Sequence, residues 1–221
     1  MMYQNLNLQF IAGQWRDGQS QKQILNINPY TQTEILNLKA ASSTDVDTAY
    51  AAAEQAFQSG VLQSIDHRKE VIQGLITVIT QRREEIVQWL IDESGSTRSK
   101  ANIEVDAALG IIEESLTFPD KVKTEELHSQ DPSRRSLVLR KSIGVIAVIS
   151  PWNFPFHLSM RSVVTAIACG NTVVLKPASD TPVTGGTLLG KLFEEAGLPA
   201  GALNIVVGSG SEIGDYFVEH P

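Results

Sequence analysis

Cysteine is nearly absent: Cys169 is the single thiol in 221 residues, so no internal disulfide can form. Histidines are few and scattered. His67, His128, His157 and His220 show no zinc-type spacing, and no metal site is expected. Long apolar runs are missing as well. The stretch Val145 to Ile149 is among the longest, far below the ~20 residues that a bilayer-crossing helix needs. The opening MMYQNLNLQF has no charged segment leading into an apolar core, so it does not read as a secretion signal. A lone thiol without an export signal points to a reducing cytoplasm. Positive charge is in deficit: 18 Lys and Arg against 25 Asp and Glu give a net charge of −7. That balance argues against a nucleic acid or another polyanion as partner, while leaving room for one local cation. No membrane partner is expected, and no internal repeat or low-complexity segment stands out.

What is present is an ordinary globular composition, 42% hydrophobic with 16 Gly and 9 Pro. The length suggests one or two domains that bury roughly 70% of the unfolded chain's surface. Residues 8–38 read as short antiparallel pieces around turns. Ser43 or Thr44 is expected to cap a helix closed by Gly60, with Val46, Ala49, Ala53 and Phe57 on its apolar face. A long helix is predicted from about Asp66 to Glu93, ended by Gly95, and another from about Ser99 to Phe118. Residues 120–133 are polar and turn-like, and RRSLVLRKS alternates as an exposed strand. After Ser142 the pattern becomes strand (144–149), helix (157–168), strand (172–176), helix (184–196), strand (203–207) and a final helix from Gly210. Single helices between strands predict an α/β fold with right-handed βαβ units and a parallel sheet of three strands.

The stretch GVIAVISPWNFPFHLSMRSVVTAIACGNTVVLKP, Gly144 to Pro177, is the richest in chemistry. It places the amide of Asn153 and the cation of Lys176 beyond the carboxyl ends of neighbouring strands, where open α/β sheets bind ligands. Taken alone, Asn153 also reads as a residue near a helix start with Pro155 in the first turn, and Lys176 as a solvated lysine. Gly208 and Gly210 lie between a strand and a helix, a weak dinucleotide signal. Cys169, among Val163, Val164 and Ile167, reads as a small buried hydrophobe. His157 has no partner to make it a base and reads as a helix-start residue.

SPWNFP, ACGNTVVLKP and EEAGLPAGALNIVVG, together with FIAGQW, NPYTQTEI and DVDTAYAAAEQAF, resemble the NAD(P)-dependent aldehyde dehydrogenase superfamily. The likeness runs over nearly the whole chain in the family's order. ISPWNFP with KPASDTP is most similar to the bacterial benzaldehyde and vanillin type.

The resemblance implies a role for each matching residue. Asn153 is the family's catalytic asparagine, donating to the oxyanion that develops when a thiolate attacks an aldehyde; such donors supply ~3 kcal/mol. Lys176 is the lysine that bonds the adenosine ribose. Ile149, Ser150 and Trp152 line the nicotinamide side of the cofactor channel, and Gly210 lies near the adenine. Ser179 departs from the glutamate of many NAD-preferring relatives, so NADP is expected alongside NAD. Phe154, His157 and the helix at 99–118 contribute to the substrate wall.

The family's domain plan implies a helical part over 1–133, an oligomerisation strand over 134–142, and a Rossmann-like cofactor region over 143–221. A homodimer or homotetramer follows from the same likeness. Its nucleophilic cysteine, its general-base glutamate and its Gly-Ser-Thr pyrophosphate turn have no counterpart in the 221 residues. The catalytic domain is therefore expected to be absent, and the chain to be a fragment or truncated product without turnover. A non-catalytic cofactor-binding or oligomerising module, or CoA-acylating aldehyde oxidation on the same fold, are the alternatives.

Overall fold

In the computed structural model, which describes residues 2–221, two short hairpins open the chain. Strands β1 (Gln9–Ile11) and β2 (Gln14–Arg16) pair antiparallel around Ala12 and Gly13, both at positive φ as a tight hairpin turn demands. Strands β3 (Gln23–Ile27) and β4 (Glu34–Lys39) form the second hairpin.

Helix α1 (Ser43–Gln58) is capped at least one residue earlier than expected. Ser42 is the N-cap, and it forms a capping box with Asp45. Its buried face runs through Val46, Ala49, Ala53 and Ala56; Phe57 is only half-buried.

The long helix expected from Asp66 to Glu93 is two helices, α2 (Ile65–Gln81) and α3 (Arg83–Ser94). They meet at Arg82, whose guanidinium bonds Glu195 at 2.8 Å and Glu85 at 3.0 Å and covers the ring of Tyr3 at 3.8 Å. No Gly or Pro marks the break. The acidic pair Glu84 and Glu85 in the first turn of α3 is the local signal for it, because acids favour a helix N-terminus. Gly95 does end α3, in the left-handed conformation.

Helix α4 (Arg98–Ser115) is followed by β5 (Glu125–Leu127) and β6 (Ser136–Val138), an exposed antiparallel pair. The first of these falls inside the stretch expected to be turn-like. Three charged pairs across or beside the hairpin, such as Arg140 to Glu125 at 2.8 Å, accompany the pairing.

The remaining elements alternate as the sequence predicts: β7 (Val145–Ile149), α5 (Pro155–Ala168), β8 (Thr172–Lys176), a π-helical turn (Val183–Thr187) running into α6 (Leu188–Glu195), and β9 (Leu203–Ile205). A second π-helical turn (Gly210–Gly214) then leads into α7 (Asp215–Val218). The sheet has five strands rather than three, in the order β2-β1-β9-β8-β7. Strands β7, β8 and β9 are parallel, whereas β1 joins β9 antiparallel through Phe10 and Ile205, so the sheet is mixed.

Strand β8 is an interior strand, paired with β9 on one side and β7 on the other, and is buried throughout. Val173 and Leu175 face the larger core with α2, α4, α5 and α6, while Val174 faces α1 and α7. A strand covered on both sides loses its polar alternation, which is why Val173, Val174 and Leu175 follow one another without a polar residue between them. Among the described residues, no helix is long and apolar enough to cross a membrane.

Candidate functional site

Strands β7 and β8 run in parallel register with Ile149 opposite Lys176, so both leave the sheet at the same end. The Ser150 amide donates to the Lys176 carbonyl at 3.1 Å and carries the pairing one step beyond β7. The chain then turns through residues 151–154. Pro151, Trp152 and Asn153 are exposed, and the Asn153 amide makes no hydrogen bond within the described residues.

The turn is held from both sides. Upstream, the buried Ser150 hydroxyl is bonded to Ser159 on α5, and Ser159 also reaches the Gly185 carbonyl at 2.6 Å. Downstream, α5 begins with Phe154 at the N-cap, a side chain that cannot cap, and Pro155 at the first helical position. The next two amides, of Phe156 and His157, donate to Oε1 of Glu104 on α4, at 2.8 and 3.3 Å. Burial pushes the Glu104 carboxyl up, and these amides together with Lys100 pull it down. His157 lies against α4, and burial lowers its pKa.

Lys176 is only 5% exposed. Burial pulls its pKa down, and within the described residues its ammonium has neither a carboxylate nor a hydrogen-bond acceptor. Its stem is buried while the ammonium still reaches solvent, so the donors stand open to a ligand that supplies acceptors. Beyond it the loop 177–182 carries Ser179, half-buried and neutral. Trp152, Asp180 and Thr181 lie on one cavity of about 510 Å³ that also reaches Glu93 and the β3 strand.

Glu93 is fully enclosed near that cavity. Its carboxylate accepts from the amides of Val183 (2.8 Å) and Thr184 (2.6 Å), from the Thr184 hydroxyl and from the Asn26 amide. Burial pushes its pKa up to about 7, and the donors offset only part of that rise. Glu93 thereby ties the hairpin β3–β4 to the π-helical turn behind the Lys176 loop.

The structure brings Ile149, Ser150, Trp152, Asn153, Lys176 and Ser179 to one end of the sheet. The Ser150 hydroxyl, however, is occupied by Ser159, and its amide by the Lys176 carbonyl. Gly210 follows β9 at the same end, but a side chain there would meet open space. Gly208 is the sterically required glycine, since a Cβ on it would lie 2.5 Å from Ile213 Cδ1. Sequence reasoning passed over Glu93, Glu104 and Ser159. Each is a polar residue inside an otherwise apolar helix stripe, and that mismatch is the signal that could have found them.

Cys169 lies at the other end of α5, whose 14 residues span about 20 Å. Burial pushes its thiol up, and the nearby Arg68 pulls it down to a lesser extent. It thus lies well away from the turn that carries Asn153.

A sequence model of the aldehyde dehydrogenase family matches residues 15–221. Vanillin dehydrogenase from Corynebacterium glutamicum is 50% identical over 210 residues, covering 95% of this chain and 43% of that protein. Benzaldehyde dehydrogenase from Bacillus subtilis is 43% identical over 219 residues, covering 99% and 45%. The crystal structure of an NAD-dependent benzaldehyde dehydrogenase from C. glutamicum superposes with a TM-score of 0.92 at 49% identity, over 97% of this chain and 47% of that one. The chain thus spans about half the length of the relatives it matches.

Proposed function

Because this chain belongs to the aldehyde dehydrogenase family, we propose that it supplies the adenosine end of a cofactor site and one oxyanion donor to the oxidation of an aldehyde to a carboxylic acid. The substrate class proposed is an aromatic aldehyde, by analogy with the vanillin and benzaldehyde dehydrogenases that the chain resembles. The nicotinamide cofactor, NAD or NADP, supplies the hydride acceptor when bound.

The Lys176 side chain, buried along its stem with an ammonium that has no protein partner among the described residues, carries this reading. It fits vicinal ribose hydroxyls, which offer it acceptors without a second full charge to desolvate. Asn153, exposed on its pinned turn, can donate its Nδ2–H to the aldehyde oxygen as negative charge develops there. Trp152 and Ile149, both exposed beside it, offer flat apolar surface for a ring. Ser179 neither repels a 2′-phosphate nor pairs with it, which supports use of both cofactors.

Cys169 does not serve as the nucleophile in this proposal, since it is half-buried at the far end of α5. The 221 residues alone are therefore expected to bind cofactor without turning over aldehyde. Self-association through the β5–β6 region is the accompanying proposal, supported by exposed Leu127, Leu137, Leu139 and Ile143. A cytoplasmic location is kept as part of the proposal on the single thiol.

Titrating the chain with NAD and NADP, wild type against Lys176→Met, tests the reading. Saturable binding that weakens in the variant is the expected result. Unchanged affinity in the variant, or aldehyde-dependent reduction of NAD by the 221-residue chain, overturns it.

A further inference from the structure

We propose that Glu104 is a positioning residue for Asn153: from α4 it caps the N-terminus of α5 and so fixes the turn that presents the Asn153 amide. The inference rests on the oxyanion role given to Asn153 above.

A helix start leaves its first amides without internal partners, and buried amides must find acceptors elsewhere. Here the local sequence provides none. Phe154 at the N-cap has no side-chain oxygen, and Pro155 has no N–H. Phe156 and His157 are the first amides that need an acceptor, and both use Glu104 Oε1, from a residue 52 positions away from the first of them. The usual Ser or Asp cap is thus replaced by a carboxylate on a neighbouring helix, and a negative charge there also suits the helix dipole.

Glu104 is wholly buried, and its other oxygen, Oε2, has no hydrogen-bond donor. Lys100, one turn earlier on α4, stands 3.7 Å from that oxygen. The same ammonium lies 4.8 Å from the centre of the Phe154 ring. Lys100 and Glu104 therefore grip α4 to the residue immediately after Asn153 and to the two that follow Pro155. On the other side of the turn, Ser150 is fixed by Ser159 and by the Lys176 carbonyl. Only residues 151–153 lie free between these anchors. Losing the downstream anchor lets the turn shift relative to β7, and a shift of about 1 Å at a reacting centre costs on the order of a hundredfold in rate.

A double-mutant cycle in the polypeptide that carries this chain together with a catalytic thiol provides the test, with steady-state rates measured for Asn153→Ala, Glu104→Ala and both together. The expected result is a kcat fall of about 10- to 100-fold for Glu104→Ala, with KM for the cofactor little changed. The double variant should be no slower than Asn153→Ala alone, because Glu104 acts through Asn153. Glu104→Asp should recover part of the rate. Multiplicative losses in the double variant, or an unchanged kcat in Glu104→Ala, overturn the inference. A normal rate in Asn153→Ala overturns the oxyanion reading instead, so the two failures are distinguishable. Should Glu104→Ala not fold, Glu104→Gln keeps one acceptor oxygen. Amide exchange in the 221-residue chain then decides: faster exchange at Phe156 and His157, with a shifted Asn153 side-chain amide signal, is expected. An unmoved Asn153 signal overturns the inference.

Discussion

A side chain on Gly186 would begin 2.6 Å from Pro177 Cγ, so the π-helical turn and the residue after Lys176 are in direct backbone-to-ring contact. Gly186 is fully buried, with Ile205 of β9 also within reach. The Gly186→Ala substitution should cost about 1–3 kcal/mol of stability through overpacking. It should also weaken cofactor binding, because the ring it displaces is bonded to Lys176. Chemical denaturation and a cofactor titration on the same variant check both effects.

Lys176→Met offers an unusual pairing of outcomes. Removing an ammonium that is partly withdrawn from water and has no protein partner among the described residues is expected to leave stability unchanged or raised, while cofactor affinity drops by about tenfold, the worth of one charge-assisted hydrogen bond. The pH dependence has a definite sign. A lysine whose pKa is lowered by folding binds fewer protons in the native state than in the unfolded one. Its contribution to stability therefore rises as pH climbs toward the ordinary lysine value. Thermal unfolding across alkaline pH should show that rise in the wild type and lose it in Lys176→Met.

Ser179→Glu places a carboxylate on the loop after Lys176. The expected effect is a selective loss of NADP affinity, on the order of tenfold or more, with NAD binding held or improved, since a glutamate repels the 2′-phosphate and bonds ribose hydroxyls. Parallel titrations with the two cofactors measure the ratio directly. Equal losses for both would contradict the proposed place of Ser179.

Glu93 predicts a slope of the opposite kind. Its carboxyl is pushed from the ordinary 4.5 up to about 7 by burial. The folded state therefore holds its proton more tightly than the unfolded state does. Stability from this group is fully present below about pH 4.5 and declines as pH rises toward 7. Glu93→Gln should flatten that part of the profile, whatever its effect on absolute stability. Denaturation midpoints measured from pH 4 to 8 in both forms, at about half-unit steps, provide the comparison.

Periodicity and strand-helix alternation made the parallel half of the fold legible, β8 to the residue. Two features escaped it for identifiable reasons. The hairpin of β1 and β2 fits the expected antiparallel pieces, but a three-residue, wholly buried strand carries no pattern to show that it joins the parallel strands through a single bridge at Phe10. The break at Arg82 is invisible to apolar periodicity because both α2 and α3 bury their stripes in one core. The placement of Asn153 and Lys176 beyond neighbouring strand ends was readable from the strand-turn-helix pattern. Glu93 and Glu104 were not, because their partners are backbone amides 90 and 52 residues away, which no local pattern encodes.

Cys169 gives the molecule one chemical handle, about one helix length from Asn153. A fluorine-bearing thiol reagent would attach there once per chain, slowly at neutral pH because burial holds the thiol protonated. Such a probe touches neither Asn153 nor Lys176. Any change in its resonance on cofactor addition would report coupling along α5 from the Asn153 turn or along β8 from Lys176, making the probe a gauge of how rigidly the two ends of the sheet are connected.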